Sequence, residues 1–236
     1  MKKLTVLLSL FPFFVSAQSL QPGFGLIADS IANIYKENQK ETLPIHYGRL
    51  FYGYPGVIGE AFYPLTLWQK GSVLFDDNWY HDVSIMYDTY TDEVILLHPN
   101  STPLRLFAER IRQFNFNGLN FIRLTPDKNK VLKTGFYHQV VQGDIAVLVK
   151  RIKNMEESIV DMNVERKFVD ESQYYIEKSG QYYHINTKKE LLNLLKDKRH
   201  EITRHLKYLK SQNLRFKKDK EAVIVEIAKL YNEGRR

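Results

Sequence analysis

Not one cysteine occurs among the 236 residues. That rules out disulfides, a thiol nucleophile and thiolate metal sites, and it removes the lipidation box of a bacterial lipoprotein. The fold has to stand on its core alone. Past the N-terminus, no stretch reaches the about twenty uninterrupted apolar residues that a membrane-spanning helix needs. A G-x-S-x-G nucleophile elbow is missing. The glycine-rich stretch 48–59 has neither the Lys-Ser/Thr ending nor the strand-to-helix setting of a phosphate loop. Nothing calls for a cofactor or a metal.

What is present begins at the N-terminus. Lys2 and Lys3 precede an apolar run over residues 4–15, and Val15-Ser16-Ala17 puts small residues where a signal peptidase reads. The expectation is an export signal over 1–17, cleaved after Ala17, and a periplasmic or secreted mature chain. The hydrophobic fraction of 44% is that of a globular protein rather than a disordered one. With 15 Tyr and 14 Phe the chain is rich in rings, which favour pleated strands.

The formal charge of +7 is unevenly spread. From Asn186 onward there are 15 Lys plus Arg against 7 Asp plus Glu, and the segment between signal and tail is mildly acidic. The tail and the body are therefore expected to meet different surroundings.

Patterning divides the mature chain in three. Residues 18–70 predict a short amphipathic helix over about 26–36, then irregular extended chain punctuated by Gly and Pro and packed by its rings. Residues 71–185 predict consecutive hairpins, with turns at Asp76-Asp77-Asn78, Thr91-Asp92, Asn117-Gly118, Gln142-Gly143-Asp144 and Ser179-Gly180. Such a series builds an antiparallel meander, either an open barrel or a sandwich. Residues 186–236 predict a basic helical hairpin. Thr187 and Glu190 fit a capping box, Leu191, Leu195, Ile202, Leu206 and Leu209 trace the stripe of one helix, and Val223, Ile227 and Leu230 that of a second, capped by Asp219. The fold class is thus mainly β with C-terminal α.

Few residues bear on chemistry. Asp76, Asp77, Asp82 and Asp88 are the candidate catalytic carboxylates, although turn residues hydrogen-bonding locally explain them more simply. Their spacing fits no EF-hand. His200 and His205 resemble a zinc-protease pair with one residue too many. At i+5 they point about 140° apart on a helix and cannot share a metal. Asn100-Ser101-Thr102, between two prolines, reads as an exposed loop with a glycosylation-type acceptor pattern.

The segments 47–54 and 59–64, with 70–75, 83–88, 92–94, Gly135-Phe136-Tyr137 and the Lys-rich end, resemble a group of exported, functionally uncharacterised proteins of Bacteroidota. The resemblance implies an envelope or secreted setting and carries no catalytic residue. Composition and pattern together favour a non-catalytic binding or envelope-associated module, in its leading form a carrier of an apolar ligand held in the β interior. That form requires a hollow interior, not one filled by Phe116, Phe121, Phe136 and Tyr174. The competing expectation is a hydrolase of envelope polymers using paired carboxylates. The partners expected are an apolar ligand or an anionic envelope surface met through the Lys/Arg helices. Nucleic acid is disfavoured by export, and an outer-membrane barrel by charges such as Arg110, Arg112 and Arg123.

Overall fold

In a computed structural model, the structure describes residues 43–64 and 67–233. The expected signal segment and the helix over 26–36 lie outside the described residues. Short strands β1 (Arg49–Leu50), β2 (Val57–Ile58) and β3 (Phe62–Tyr63) come first. They are followed by β4 (Gln69–Phe75), β5 (Asn78–Asp88), β6 (Glu93–Leu97), β7 (Pro103–Arg105), β8 (Ile111–Phe116) and β9 (Leu119–Leu124). Then come β10 (Gly135–Val141), β11 (Ile145–Lys150), β12 (Lys153–Val160), β13 (Asn163–Asp170), β14 (Gln173–Lys178) and β15 (Gln181–His184). Helices α1 (Lys188–Leu194), α2 (Arg199–Ser211) and α3 (Lys220–Glu233) close the described chain.

The expected antiparallel meander is present. One large sheet runs β1-β7-β6-β5-β4-β8-β9-β10-β11-β14-β15, with β3 added beside β5. Its two ends do not pair with each other, so the sheet is not a closed barrel. The hairpin turns fall where Gly, Asn and Asp tolerate positive φ. Asn117-Gly118 adopts φ of 48° and 74°, and Ser179-Gly180 55° and 75°. One bulge, His81-Asp82 opposite Ser72, breaks the β4–β5 register.

Although unclosed, the sheet curls until the turn between β5 and β6 meets the start of β10. Asp92 in that turn accepts hydrogen bonds from the Phe136 backbone N–H at 3.3 Å and from Tyr87 Oη at 2.6 Å, and it pairs with the buried Lys150 at 2.7 Å. Side chains thus tie the β5–β6 turn to β10 and β11 across the curl of the sheet. The enclosed space is full. Phe114, Phe121 and Phe136 are solvent-inaccessible and Phe116 almost so, with ring centroids 4.7 Å (Phe114–Phe121), 5.0 Å (Phe114–Phe136) and 5.6 Å (Phe116–Phe121) apart. Tyr87 and Phe75 complete this aromatic core.

A second, aliphatic core continues it. Ile145, Val147 and Val149 of β11 face Leu191, Leu195, Ile202, Leu206, Ile224 and Ile227 of the helices. The alternate residue Leu148 packs on the opposite face with Tyr137, Tyr175 and Leu132, so β11 is covered on both sides.

Three elements depart from the sequence expectation. The stripe Leu191 to Leu209 belongs to two helices, broken by a 3₁₀ turn at Lys196–Lys198. Asp197 in that turn accepts hydrogen bonds from Lys178 Nζ at 2.8 Å and Tyr231 Oη at 2.6 Å, which fix it toward β14 and α3 instead of continuing the helix. These partners hold its carboxyl at about 2 against the upward push of burial. The capping box of Thr187 and Glu190 forms as expected. Asp219 accepts the Arg215 N–H with its carboxylate and the Val223 N–H with its carbonyl. Residues 43–64, expected to be irregular, contribute three short strands. Finally, β12 and β13 leave the meander and form a separate three-stranded sheet with β2, which joins β13 in parallel at Arg166 and Lys167.

Candidate functional site

The four carboxylates singled out by the sequence are dispersed and partnered. Asp76 and Asp77 are the β4–β5 turn, with φ of 47° and 63°. The Arg110 guanidinium hydrogen-bonds Asp76 through Nε at 2.9 and 3.0 Å and also through Nη2, and holds that carboxyl below the usual carboxylate range. Arg112 Nε lies 3.0 Å from Asp77. Asp82 sits in the bulge, exposed, 3.6 Å from Lys70. Asp88 is buried at the far end of β5, ten residue steps or about 33 Å from the turn. It accepts the Tyr54 hydroxyl and the N–H groups of Tyr90 and Thr91 at 3.0 and 3.2 Å. Burial and the Asp88 charge raise the Tyr54 hydroxyl well above its ordinary value. A glycosidase pair needs two acids about 5 to 9.5 Å apart across a cleft. Asp88 is out of reach of the other three, and each of those is matched to its own base. His200 and His205 share α2, where His205 packs on Tyr208. Among the described residues no group of three or more His, Asp or Glu is placed to hold a metal ion.

A buried polar constellation around Arg151 was not legible in the sequence. Arg151, just past β11, makes a bidentate pair with Glu221 of α3 at 2.6 and 2.7 Å. It also reaches His138 Nδ1 of β10 at 2.8 Å and lies 4.4 Å over the Tyr63 ring. His138 stacks on Phe121 at 4.8 Å. Burial, then the neighbouring Arg151 charge, push His138 down to about 4 against the opposing pull of Glu221, so it is a neutral acceptor of the guanidinium N–H. This arrangement is a lock: it ties α3, β10, β11 and β3 together with every charge matched.

From that lock the chain enters the β12–β13 hairpin, whose two ends differ sharply. At its base, Phe168 is buried against Tyr54 and Tyr90, each 5.3 Å away, and backbone bonds join Lys153 to Thr89 and Glu171 to Ile152. Beyond the base, every residue over 156–167 is exposed. Ile159 is 80% exposed, Val160 48%, Val164 62% and Met162 99%. The turn is Asp161-Met162 with φ of 48° and 61°, the geometry that favours Asn-Gly. Methionine there carries two penalties, a left-handed backbone and a wholly exposed apolar side chain, and nothing within the described chain offsets either. The eight-residue strands give an arm about 26 Å long with an apolar tip. Sequence reading missed it because its strands alternate poorly. The one available signal was Asp161-Met162-Asn163 between Ile159-Val160 and Val164.

A second surface lies at the end of the large sheet. An open groove of about 570 Å³ is lined by Val131, Tyr182, Tyr183, Ile185, Glu190 and Leu194, among others. Among the described residues β15 pairs only with β14. The Ile185 N–H bonds the Tyr174 carbonyl, so by the antiparallel alternation the N–H and C=O groups of Tyr182 and His184 point away from β14. Lys128, Lys130 and Lys133, in the segment that supplies Val131, and Lys188 and Lys189, just before Glu190, are exposed and have no ion-pair partner among the described residues.

Comparison with family profiles, with characterised proteins and with solved structures finds no match to this chain.

Proposed function

We propose that this chain is an exported, non-catalytic binding module of the cell envelope that engages a partner through the β12–β13 arm. The observation that carries the reading is the arm tip: four apolar side chains held out on a hairpin whose base is clamped by rings. A patch of that kind, uncovered by the described residues, marks an interaction site. The export-type N-terminal sequence and the resemblance to exported, functionally uncharacterised proteins of Bacteroidota support the setting. No helix among the described residues is long and apolar enough to cross a membrane. The ring-filled interior leaves no room between Phe114, Phe116, Phe121 and Phe136 for a carried ligand, so an apolar ligand would have to take the groove beside β15. The ion-paired carboxylates lend no support to the hydrolase alternative. The exposed Lys and Arg of α1 and α2 remain suited to an anionic envelope surface.

The test is a photo-crosslinking residue at Met162 in cells that export the chain. The expected result is a discrete higher-mass adduct, with none from the same residue at Asn117, an exposed hairpin turn whose adjacent Phe116 is buried. Adducts from both positions, or from neither, would refute the reading.

A further inference from the structure

We infer that the arm of one molecule docks into the groove beside β15 of a second copy of this chain. This rests on the binding role given to the arm above, and names its partner.

Charge and shape argue for it together. Over the exposed residues 156–167 the arm carries Glu156, Glu157, Asp161 and Glu165 against Arg166 and Lys167, and Arg166 Nε already pairs with Glu157 at 2.7 Å, so the net negative charge lies toward the tip, at Asp161 and Glu165. An acid-flanked apolar tip is repelled by an anionic bilayer and suits a basic-rimmed apolar groove. The chain builds such a groove itself. Its two flanking segments, 127–133 and 187–194, hold five lysines and two acids. Both acids are already engaged: Asp127 accepts the N–H groups of Asn129, Val131 and Leu132, and Glu190 closes the capping box. The lysine charge is thus left for an incoming partner.

The backbones match as well. β12 is the outer strand of the three-stranded sheet, so one of its edges is free, and β15 offers the outward N–H and C=O groups of Tyr182 and His184. An extended strand laid along β15 gains up to four main-chain hydrogen bonds there while its alternate side chains enter the groove. Met162, Ile159 and Val164 supply the apolar anchors, and Val131, Ile185 and Leu194 the wall. With one arm and one groove per chain, the smallest assembly that satisfies both is a two-fold dimer with reciprocal docking.

The experiment combines sedimentation with crosslink mapping on the exported full-length chain. The unaltered chain is expected to form dimers that weaken as salt is raised. Ile159→Glu with Met162→Glu on the arm, and separately Lys128→Glu with Lys188→Glu on the groove flanks, are each expected to weaken association about thirtyfold or more, the effect of losing one buried anchor. All four positions are exposed, so the fold is retained and is checked by an unchanged melting temperature. Glu157→Lys with Glu165→Lys on the arm should restore pairing with the charge-reversed groove. The crosslinker at Met162 should label peptides from 127–133 or 182–194 of the other copy. A chain that stays monomeric, or dimers indifferent to the arm variants, would overturn the inference. An adduct solely with a different protein would overturn it while leaving the binding role intact, and no adduct at all would remove both.

Discussion

Replacing Glu221 with leucine isolates the lock at Arg151. The guanidinium side chain is 6% exposed and makes both its strong contacts to the Glu221 carboxylate, whose own side chain is 32% exposed. After Glu221→Leu the cation keeps only the His138 lone pair and the face of Tyr63. Stripping one partner from a buried pair costs about 3 to 5 kcal/mol. Because Glu221 stands at the protein surface, water can reach the vacated side of Arg151, and the lower figure of about 3 kcal/mol applies. For a domain of this size that lowers the melting temperature by about 6 to 12 °C. The companion Arg151→Met with Glu221→Leu removes both charges and keeps the apolar volume beside Tyr63, so it should fall within about 1 kcal/mol of the natural chain. Urea and thermal unfolding followed by far-ultraviolet circular dichroism measure the cycle, and hydrogen exchange shows whether α3 loosens first. A loss below about 1 kcal/mol for Glu221→Leu would mean that the pair behaves as a surface ion pair, and the lock would have no standing. A double variant as unstable as the two singles summed would refute the coupling.

Three further outcomes are expected. His138 is held near 4 in the folded chain against an ordinary 6.5. The unfolded chain therefore takes up its proton first as pH falls; the His138 contribution is intact above about 6.5 and about 3 kcal/mol is lost by pH 4, whereas His138→Gln should flatten that part of the stability profile. Gly71→Ala drives a Cβ into the Asn115 carbonyl and Phe116 of the neighbouring strand, and should destabilise by about 1 to 3 kcal/mol in urea, where a neutral result would mean that β4 and β8 are not so closely apposed. Met162→Gly relieves the left-handed turn and should raise stability by about 0.5 to 1 kcal/mol while weakening association; a loss of stability instead would show that Met162 packs within its own chain.

What the sequence disclosed follows from how local each signal is. Asn117-Gly118 and Ser179-Gly180 announce their hairpins because the turn geometry is chosen within two residues. Thr187 and Glu190 announce a helix start because the cap closes over three. The break at Lys196–Lys198 was invisible, since Leu195 and Ile202 keep a helical stripe on either side and the cause lies in Lys178 and Tyr231, far away in sequence. The lock was equally hidden: His138, Arg151 and Glu221 span 83 positions, and none stands in a motif. Asp76 and Asp77 drew attention as acids, yet their spacing reflects turn chemistry, and the arginines that neutralise them come from the following β8 region.

The lock and the arm are two parts of one arrangement. Only Ile152 separates Arg151 from the first residue of β12, and the Ile152 carbonyl takes the Glu171 N–H where the hairpin returns. The residue that fastens α3 to the sheet therefore also fixes the direction in which the arm leaves it, and the Tyr54–Phe168–Tyr90 rings hold that direction from the other side. An arm rooted in matched charges and stacked rings loses little further freedom when its tip is captured, so more of the apolar burial at Ile159, Met162 and Val164 is retained as affinity. Loosening the root should then weaken capture without touching the tip. Glu221→Leu, 59 positions from Met162 in sequence, is expected to weaken association at a temperature where the body remains folded. If it left association unchanged, the arm would be an independent appendage, and its stiff root would have no part in binding.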